Sequence, residues 1–268
     1  MKDPQSILIT GASSGIGAAL ARAYAAPGLH LALSGRHRER LEEVAAECRA
    51  AGAEVATGLV DVCELDELAA WMAGRDRERP LDLVIANAGI SAGTGAFGET
   101  DRQARQIFEV NFDGVVNTVL AAAALMRPRR RGQIALMSSL AGFRGFPGAP
   151  AYCASKAGVR VWGEALRGTL SAEGLEISVI CPGYVKSPMT ERNDFPMPFL
   201  MEAGRAAQII RRGLAANRSR IVFPRRLYAA VWLLALLPPG WTDGLLARLP
   251  EKPAAPDAQS QEQPPSNS

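Results

Sequence analysis

The chain has 268 residues, 48% of them hydrophobic, and a formal net charge of +3. That length suffices for one complete core in an α/β fold, and from so small a charge no general attraction to nucleic acid or acidic lipid follows. The four cysteines (Cys48, Cys63, Cys153, Cys181) form no C-x-x-C pair and only His30 and His37 offer imidazole, which argues against a structural zinc site.

Taken in chain order, short β-type runs alternate with longer helical stretches. Strands are expected at Ser6–Thr10, Leu29–Ser34, Glu54–Val60, Leu81–Ala86, Gln133–Ser138 and Glu176–Cys181, with helices such as Arg38–Ala51 and Arg102–Met126 between them. The pattern predicts a single-domain, doubly wound α/β fold of the Rossmann type over residues 1–250, with a parallel sheet covered on both faces and a C-terminal helical extension. Such sheets bind ligands at the carboxyl ends of their strands, so the segment after each strand matters most. Residues 251–268, rich in Pro, Gln and Ser, have no apolar face to bury and are expected to form a disordered tail.

After the first strand the chain reads Thr10-Gly11-Ala12-Ser13-Ser14-Gly15-Ile16-Gly17 and enters a helix. Glycines there allow a tight turn and let backbone N–H groups approach a pyrophosphate, although an ordinary strand-to-helix turn uses the same residues. The second strand ends in Ser34-Gly35-Arg36. An NAD site usually places an acid at this point; an arginine suits a 2′-phosphate instead, so NADP(H) is expected in preference to NAD(H), with a solvated arginine as the alternative. After the third strand, Asp61 and Val62 can hold an adenine, and Asp61 can equally cap a helix. After the fourth come Asn87, Ala88 and Gly89, which fit close passage of a cofactor or a plain turn.

Tyr152 and Lys156 stand four residues apart, on one face of an expected helix. A nearby ammonium favours phenolate, so Tyr152 is expected to have a lowered pKa and to act as general acid and base. Ser139, just past the fifth strand, offers a hydroxyl to the reacting oxygen, with Ser138 as its closest competitor. Asn111, inside a long apolar helix, either holds a water near Lys156 or is a hydrogen-bonded core amide.

Together these residues resemble the classical short-chain dehydrogenase/reductase family. The motifs are T-G-x-x-x-G-x-G at Thr10–Gly17, Asp61, N-A-G at Asn87–Gly89, Asn111, Ser139, Y-x-x-x-K at Tyr152–Lys156, and Pro182-Gly183, in family order over about residues 5 to 190. The resemblance implies an oxidoreductase interconverting a carbonyl and an alcohol, with Asn111, Ser139, Tyr152 and Lys156 as its catalytic tetrad. It implies that Tyr152 and Lys156 also contact the cofactor, and that Pro182, Gly183, Val185 and Ser187 meet its nicotinamide end. A homodimer or homotetramer is the usual assembly of such proteins. A catalytically silent nucleotide-binding regulator is the competing reading, which the complete tetrad argues against. Epimerases and dehydratases of sugar nucleotides on the same fold usually carry a longer substrate domain, for which this chain is expected to be too short.

Aromatic and methionine side chains near these motifs (Phe143, Phe146, Tyr184, Met189, Phe195, Met197, Phe199) suit an apolar substrate, although several are expected in the core. Prolines 188, 196 and 198 mark Ser187–Leu200 as a candidate lid. Four arginines in Arg127–Arg131 read as a solvated loop. The region Arg218–Leu249 departs from the family pattern of a closing strand. It carries Arg225-Arg226, the apolar run Leu227–Leu237, and Pro238-Pro239. As a helix this run is apolar on nearly every face, and the core, a twin subunit or a membrane surface must cover it. The expected location is the cytoplasm, with peripheral membrane contact through 225–249 left open.

Overall fold

The computed structural model describes residues 2–94, 98–191 and 193–248; the expected tail lies outside these. Seven strands form one parallel sheet: β1 (Ser6–Ile9), β2 (His30–Ser34), β3 (Glu54–Gly58), β4 (Leu83–Ala86), β5 (Gly132–Met137), β6 (Leu175–Pro182) and β7 (Arg220–Phe223). Their order across the sheet is β3-β2-β1-β4-β5-β6-β7. The winding reverses between β1 and β4, and the clefts beyond their carboxyl ends are where such sheets take ligands.

Alternation along the strands assigns each residue to a face. Ile7 and Ile9 of β1, Leu31 and Leu33 of β2, and Leu83 and Ile85 of β4 point to one layer. That layer holds α1 (Gly15–Tyr24), α2 (Arg38–Ala50) and α8 (Ala203–Ala215). Leu8, Ala32, Val84 and Ala86 point to the other, which holds α3 (Leu65–Glu78), α5 (Gly114–Met126) and α6 (Pro150–Leu170). Because both faces are covered, the strand interiors are almost continuously apolar, as the sequence suggests.

The expected helix over Arg102–Met126 is two helices, α4 (Asp101–Phe108) and α5, joined by a π-helical turn at Glu109–Asp113. Asn111 sits in that turn. The whole stretch Asp101–Arg129 is long and apolar enough to span a membrane, but half of its apolar window is buried within the protein. A short helix, α7 (Pro188–Glu191), precedes α8, and two helices close the described chain, α9 (Arg225–Leu236) and α10 (Pro239–Leu246).

Three expectations need correction. The chain does contain a closing strand: β7 pairs in parallel with β6, Ile180 opposite Ile221. The arginines of 127–131 are anchored rather than merely solvated. Arg129 donates to Asp76 at 2.8 Å and to the Leu81 carbonyl, Arg131 reaches Asp82 at 3.3 Å, Arg127 pairs with Glu173, and Arg130 donates to the Ala172 carbonyl. Together they tie the amino-terminal end of β5 to its neighbours. Phe143, half-buried, packs beneath α9 against Leu227 and Tyr228 and lines, with Phe146, a pocket beside α10 that includes neither Ser139 nor Tyr152.

Candidate active site

At the switch point the chain leaves β1 through Gly11 (φ +65) and Gly15 (φ +54), both in the left-handed region that a Cβ makes costly. A Cβ on Gly17 would stand 2.3 Å from the Gly11 carbonyl oxygen, and one on Gly11 2.8 Å from the Ala88 Cα. No larger residue fits this turn. Ser13 lies against Gly35, and Ile16 packs on the core. Ser14 is the N-cap of α1, yet its side chain makes no capping bond. The first-turn amides are thus not taken by that hydroxyl, and an anion suits them.

Asn87 is the brace of this turn. Its Nδ2 donates to the carbonyls of Thr10 (2.9 Å) and Gly11 (3.1 Å), while the Thr10 hydroxyl accepts from the backbone N–H groups of Asn87 and Ala88. The N-A-G segment therefore fixes the glycine turn from the end of β4, a tertiary role that no local pattern announces.

At the ends of β2 and β3, the Arg36 guanidinium lies 3.7 Å from the Asp61 carboxylate, and both side chains are partly open to solvent. Asp61 also accepts from the Cys63 amide at 3.0 Å, a local turn rather than a cap on α3, whose N-cap is Glu64. Val62 is buried, with Gly114 close against it, so it packs under α5.

The other end of the cleft is built by β5, β6 and α6. The two serines after β5 separate cleanly. Ser138 is buried and donates to the Lys156 carbonyl at 2.7 Å. Ser139 begins a 3-10 turn, Leu140–Gly142, accepts from the Ala141 amide, and is hydrogen-bonded to the Tyr152 hydroxyl. A Cβ on Gly142 would stand 2.8 Å from the Lys156 carbonyl, so only glycine lets this turn lie flat on α6. The first turn of α6 starts at Pro150, and Glu99 accepts from the Ala151 amide at 2.9 Å. Ser139 and Tyr152 face each other because of these contacts.

Lys156 is buried, and its Nζ donates to the Met137 carbonyl at 2.9 Å. It lies 5.9 Å from the centre of the Tyr152 ring. A Cβ on Gly89 would meet the Asn111 Oδ1 at 3.1 Å and the Lys156 Nζ at 3.3 Å, so these three residues converge on one spot. The Asn111 amide is hydrogen-bonded on both sides: Oδ1 accepts from the Ile90 N–H (2.8 Å), and Nδ2 donates to the Ile90 carbonyl (2.9 Å) and to Ser155 (3.2 Å).

The expected lowering of the Tyr152 pKa meets an opposing effect. Burial pushes the phenol up to about 12, against the pull of its Ser139 hydrogen bond. Burial also drives Lys156 down to about 8, which weakens the cation expected to act on the phenol.

On the β6 side, Pro182 accepts a long hydrogen bond from Ser139 (3.4 Å). Gly183 gives room to Leu227 of α9, and Ser187 meets Gly15. Val185 is buried and bridges to Met201. The Met201 amide donates to the Tyr184 carbonyl and the Lys186 amide to the Met201 carbonyl, closing the neck of the Ser187–Leu200 segment. Inside it, Tyr184 and Phe195 pack edge to face at 6.2 Å.

This fold and site define a nucleotide-binding α/β oxidoreductase. A family model for short chain dehydrogenases matches residues 5–195, and the chain belongs to that family. It is 37% identical over 246 residues to an uncharacterised oxidoreductase of Myxococcus xanthus, covering 91% of this chain and 97% of the relative. It is 32% identical to a 3-oxoacyl-[acyl-carrier-protein] reductase of Rickettsia conorii, covering 69% and 74%. Among solved structures it resembles a short-chain dehydrogenase from Sphingobium yanoikuyae in complex with NADPH (TM-score 0.76, 27% identity, 93% and 98% covered). It also resembles one from Burkholderia phymatum in complex with NAD (TM-score 0.80, 25% identity, 94% and 98% covered).

Proposed function

We propose that this protein is an NADP(H)-dependent carbonyl reductase acting on an apolar substrate, with Tyr152 as general acid. The observation that carries the proposal is the hydrogen bond between Ser139 and Tyr152, made beside the point where Gly89, Asn111 and Lys156 converge.

The residues present fit a nicotinamide dinucleotide. The Gly11–Gly17 turn and the amides of α1 receive its pyrophosphate, Arg36 its 2′-phosphate, Asp61 its adenine, and Lys156 its nicotinamide ribose. Pro182, Gly183, Val185 and Ser187 border the nicotinamide. When bound, that group supplies or accepts the hydride. Arg36 supports NADP(H) because no acid at the end of β2 repels a phosphate, and Asp61 at 3.7 Å is too distant for a close ion-pair hydrogen bond.

Ser139 donates to the substrate oxygen and holds it against the Tyr152 hydroxyl. As negative charge grows on that oxygen, Tyr152 releases its proton to it and becomes phenolate; in oxidation the phenolate oxygen takes the proton from the alcohol. A phenol held near 12 remains fully protonated at neutral pH, the form that a reductase needs at the start of each cycle. Lys156 lies close enough to stabilise the phenolate that results. The ketoacyl reductase among the relatives supports carbonyl reduction, and the Tyr184–Phe195 pair beside Tyr152 supports an apolar substrate. Nothing favours a silent regulator. Exposed Leu120 on α5 and Val161 on α6 support self-association through that layer.

The test is loss of NADPH absorbance with a panel of apolar ketones, aldehydes and quinones, run in parallel with NADH. Turnover that prefers NADPH is expected. Tight NADPH binding without turnover across a broad panel would revive the regulatory reading, and binding of neither nucleotide would overturn the proposal.

A further inference from the structure

The two helices that close the described chain bury little of themselves. α9 packs on β7 and on the 3-10 turn at Leu140–Gly142, using Leu227, Tyr228 and the buried Val231. α10 buries Thr242 and Leu246. Their outward surface presents Trp232, Leu233, Leu236, Leu237, Trp241 and Leu245, with Trp241 78% and Leu236 62% exposed. Pro238 and Pro239 bend the chain between the helices, so the bend itself is apolar. From Leu227 to Ala247 the only charged side chain is Asp243. A soluble domain seldom leaves so continuous an apolar surface in water without a use for it.

Charge decides between the candidate covers. Arg225 and Arg226 stand at the start of α9, and Arg248 follows α10. Among the described residues these three arginines are exposed and make no ion pair, in contrast to the paired arginines 127, 129 and 131 before β5. A second copy meeting this face across a two-fold axis would bring like-charged arginines together, with only Asp243 to offset them. An anionic bilayer surface answers both features. Its acyl boundary takes the leucines, its interface suits the two indoles, and its phosphates pair with the guanidiniums.

We infer that α9 and α10 form a docking surface for an anionic lipid bilayer, lying in the interface with Leu233, Leu236 and Trp241 inserted and Arg225, Arg226 and Arg248 on headgroup phosphates. The inference does not rest on the catalytic reading, since no residue of the cleft takes part.

The experiment uses the full chain with phosphatidylcholine vesicles, with and without phosphatidylglycerol. Co-sedimentation with the anionic vesicles is expected, at least about tenfold weaker without phosphatidylglycerol. Brominated lipids should quench the wild-type tryptophan emission, because Trp232 and Trp241 are exposed while Trp71 and Trp162 pack on the core. Leu236→Glu/Trp241→Glu should lose binding while keeping its solution turnover, and Arg225→Gln/Arg226→Gln should lose the preference for anionic lipid. Absence of sedimentation and quenching with anionic vesicles would overturn the inference, as would equal binding by the double glutamate variant. A concentration-dependent dimer that dissociates in that variant, without vesicle binding by the wild type, would assign the face to a second copy instead.

Discussion

The Arg36 guanidinium and the Asp61 carboxylate stand 3.7 Å apart at the carboxyl ends of β2 and β3, so the two residues assigned to the adenosine end of the cofactor share one location. Arg36→Asp would place two carboxylates there. The NADPH-to-NADH ratio of kcat/KM should fall roughly ten- to a hundredfold, the range for a lost charge-assisted hydrogen bond. Steady-state kinetics with both nucleotides checks this; an unchanged ratio removes Arg36 from the cofactor site.

The two serines after β5 should differ in their effect on kcat. Ser139→Ala removes the partner of Tyr152 and should lower kcat by about a hundredfold or more, and loss of its cap on the Ala141 amide should cost about 1 kcal/mol of stability. Ser138→Ala breaks a buried bond to the Lys156 carbonyl and should cost about 1–2 kcal/mol of stability, with a smaller effect on kcat. Denaturation and turnover measured on both variants separate the roles; a similar loss of kcat in both would merge them.

Lys156 carries a stability penalty that depends on pH. Its pKa falls from an ordinary 10.5 to about 8 through burial. Between these values the unfolded chain binds more protons than the folded one, so this group's contribution to stability rises with pH across that window. Below about pH 8 the penalty is fully present. Lys156→Met should therefore stabilise the protein at pH 7, by up to roughly 3 kcal/mol before the lost bond to Met137 is deducted. The gain should shrink from about pH 8 toward 10.5, and turnover should be lost. Urea denaturation at several pH values tests it, and a destabilised variant at pH 7 contradicts the assignment.

Much of this could be read from the chain. Six of the strands and the glycine turn follow from apolar periodicity and punctuation, which are local signals. β7 escaped because Ile221-Val222-Phe223 is a short apolar run between arginines and a proline, too brief to show alternation; pairing with β6 makes it a strand. Ser138 and Ser139 are equivalent in sequence, and only the docking of Gly142 on Lys156 distinguishes them. The brace supplied by Asn87 and the engagement of the Asn111 amide are tertiary bonds, invisible to spacing. Phe143 faces a pocket beside α10 rather than Tyr152 because α9 folds back over it, which the sequence does not show. The two effects on the phenol's pKa differ in legibility: charge proximity shows in a Y-x-x-x-K spacing, and burial does not.

The central claim is that Tyr152 moves the proton, and Tyr152→Phe tests it most directly. With an apolar ketone that the wild type reduces, NADPH consumption by this variant should fall by at least about a hundredfold, while NADPH binding by fluorescence titration changes little. Turnover that persists at the wild-type rate would contradict the mechanism and move the proton donor to another residue.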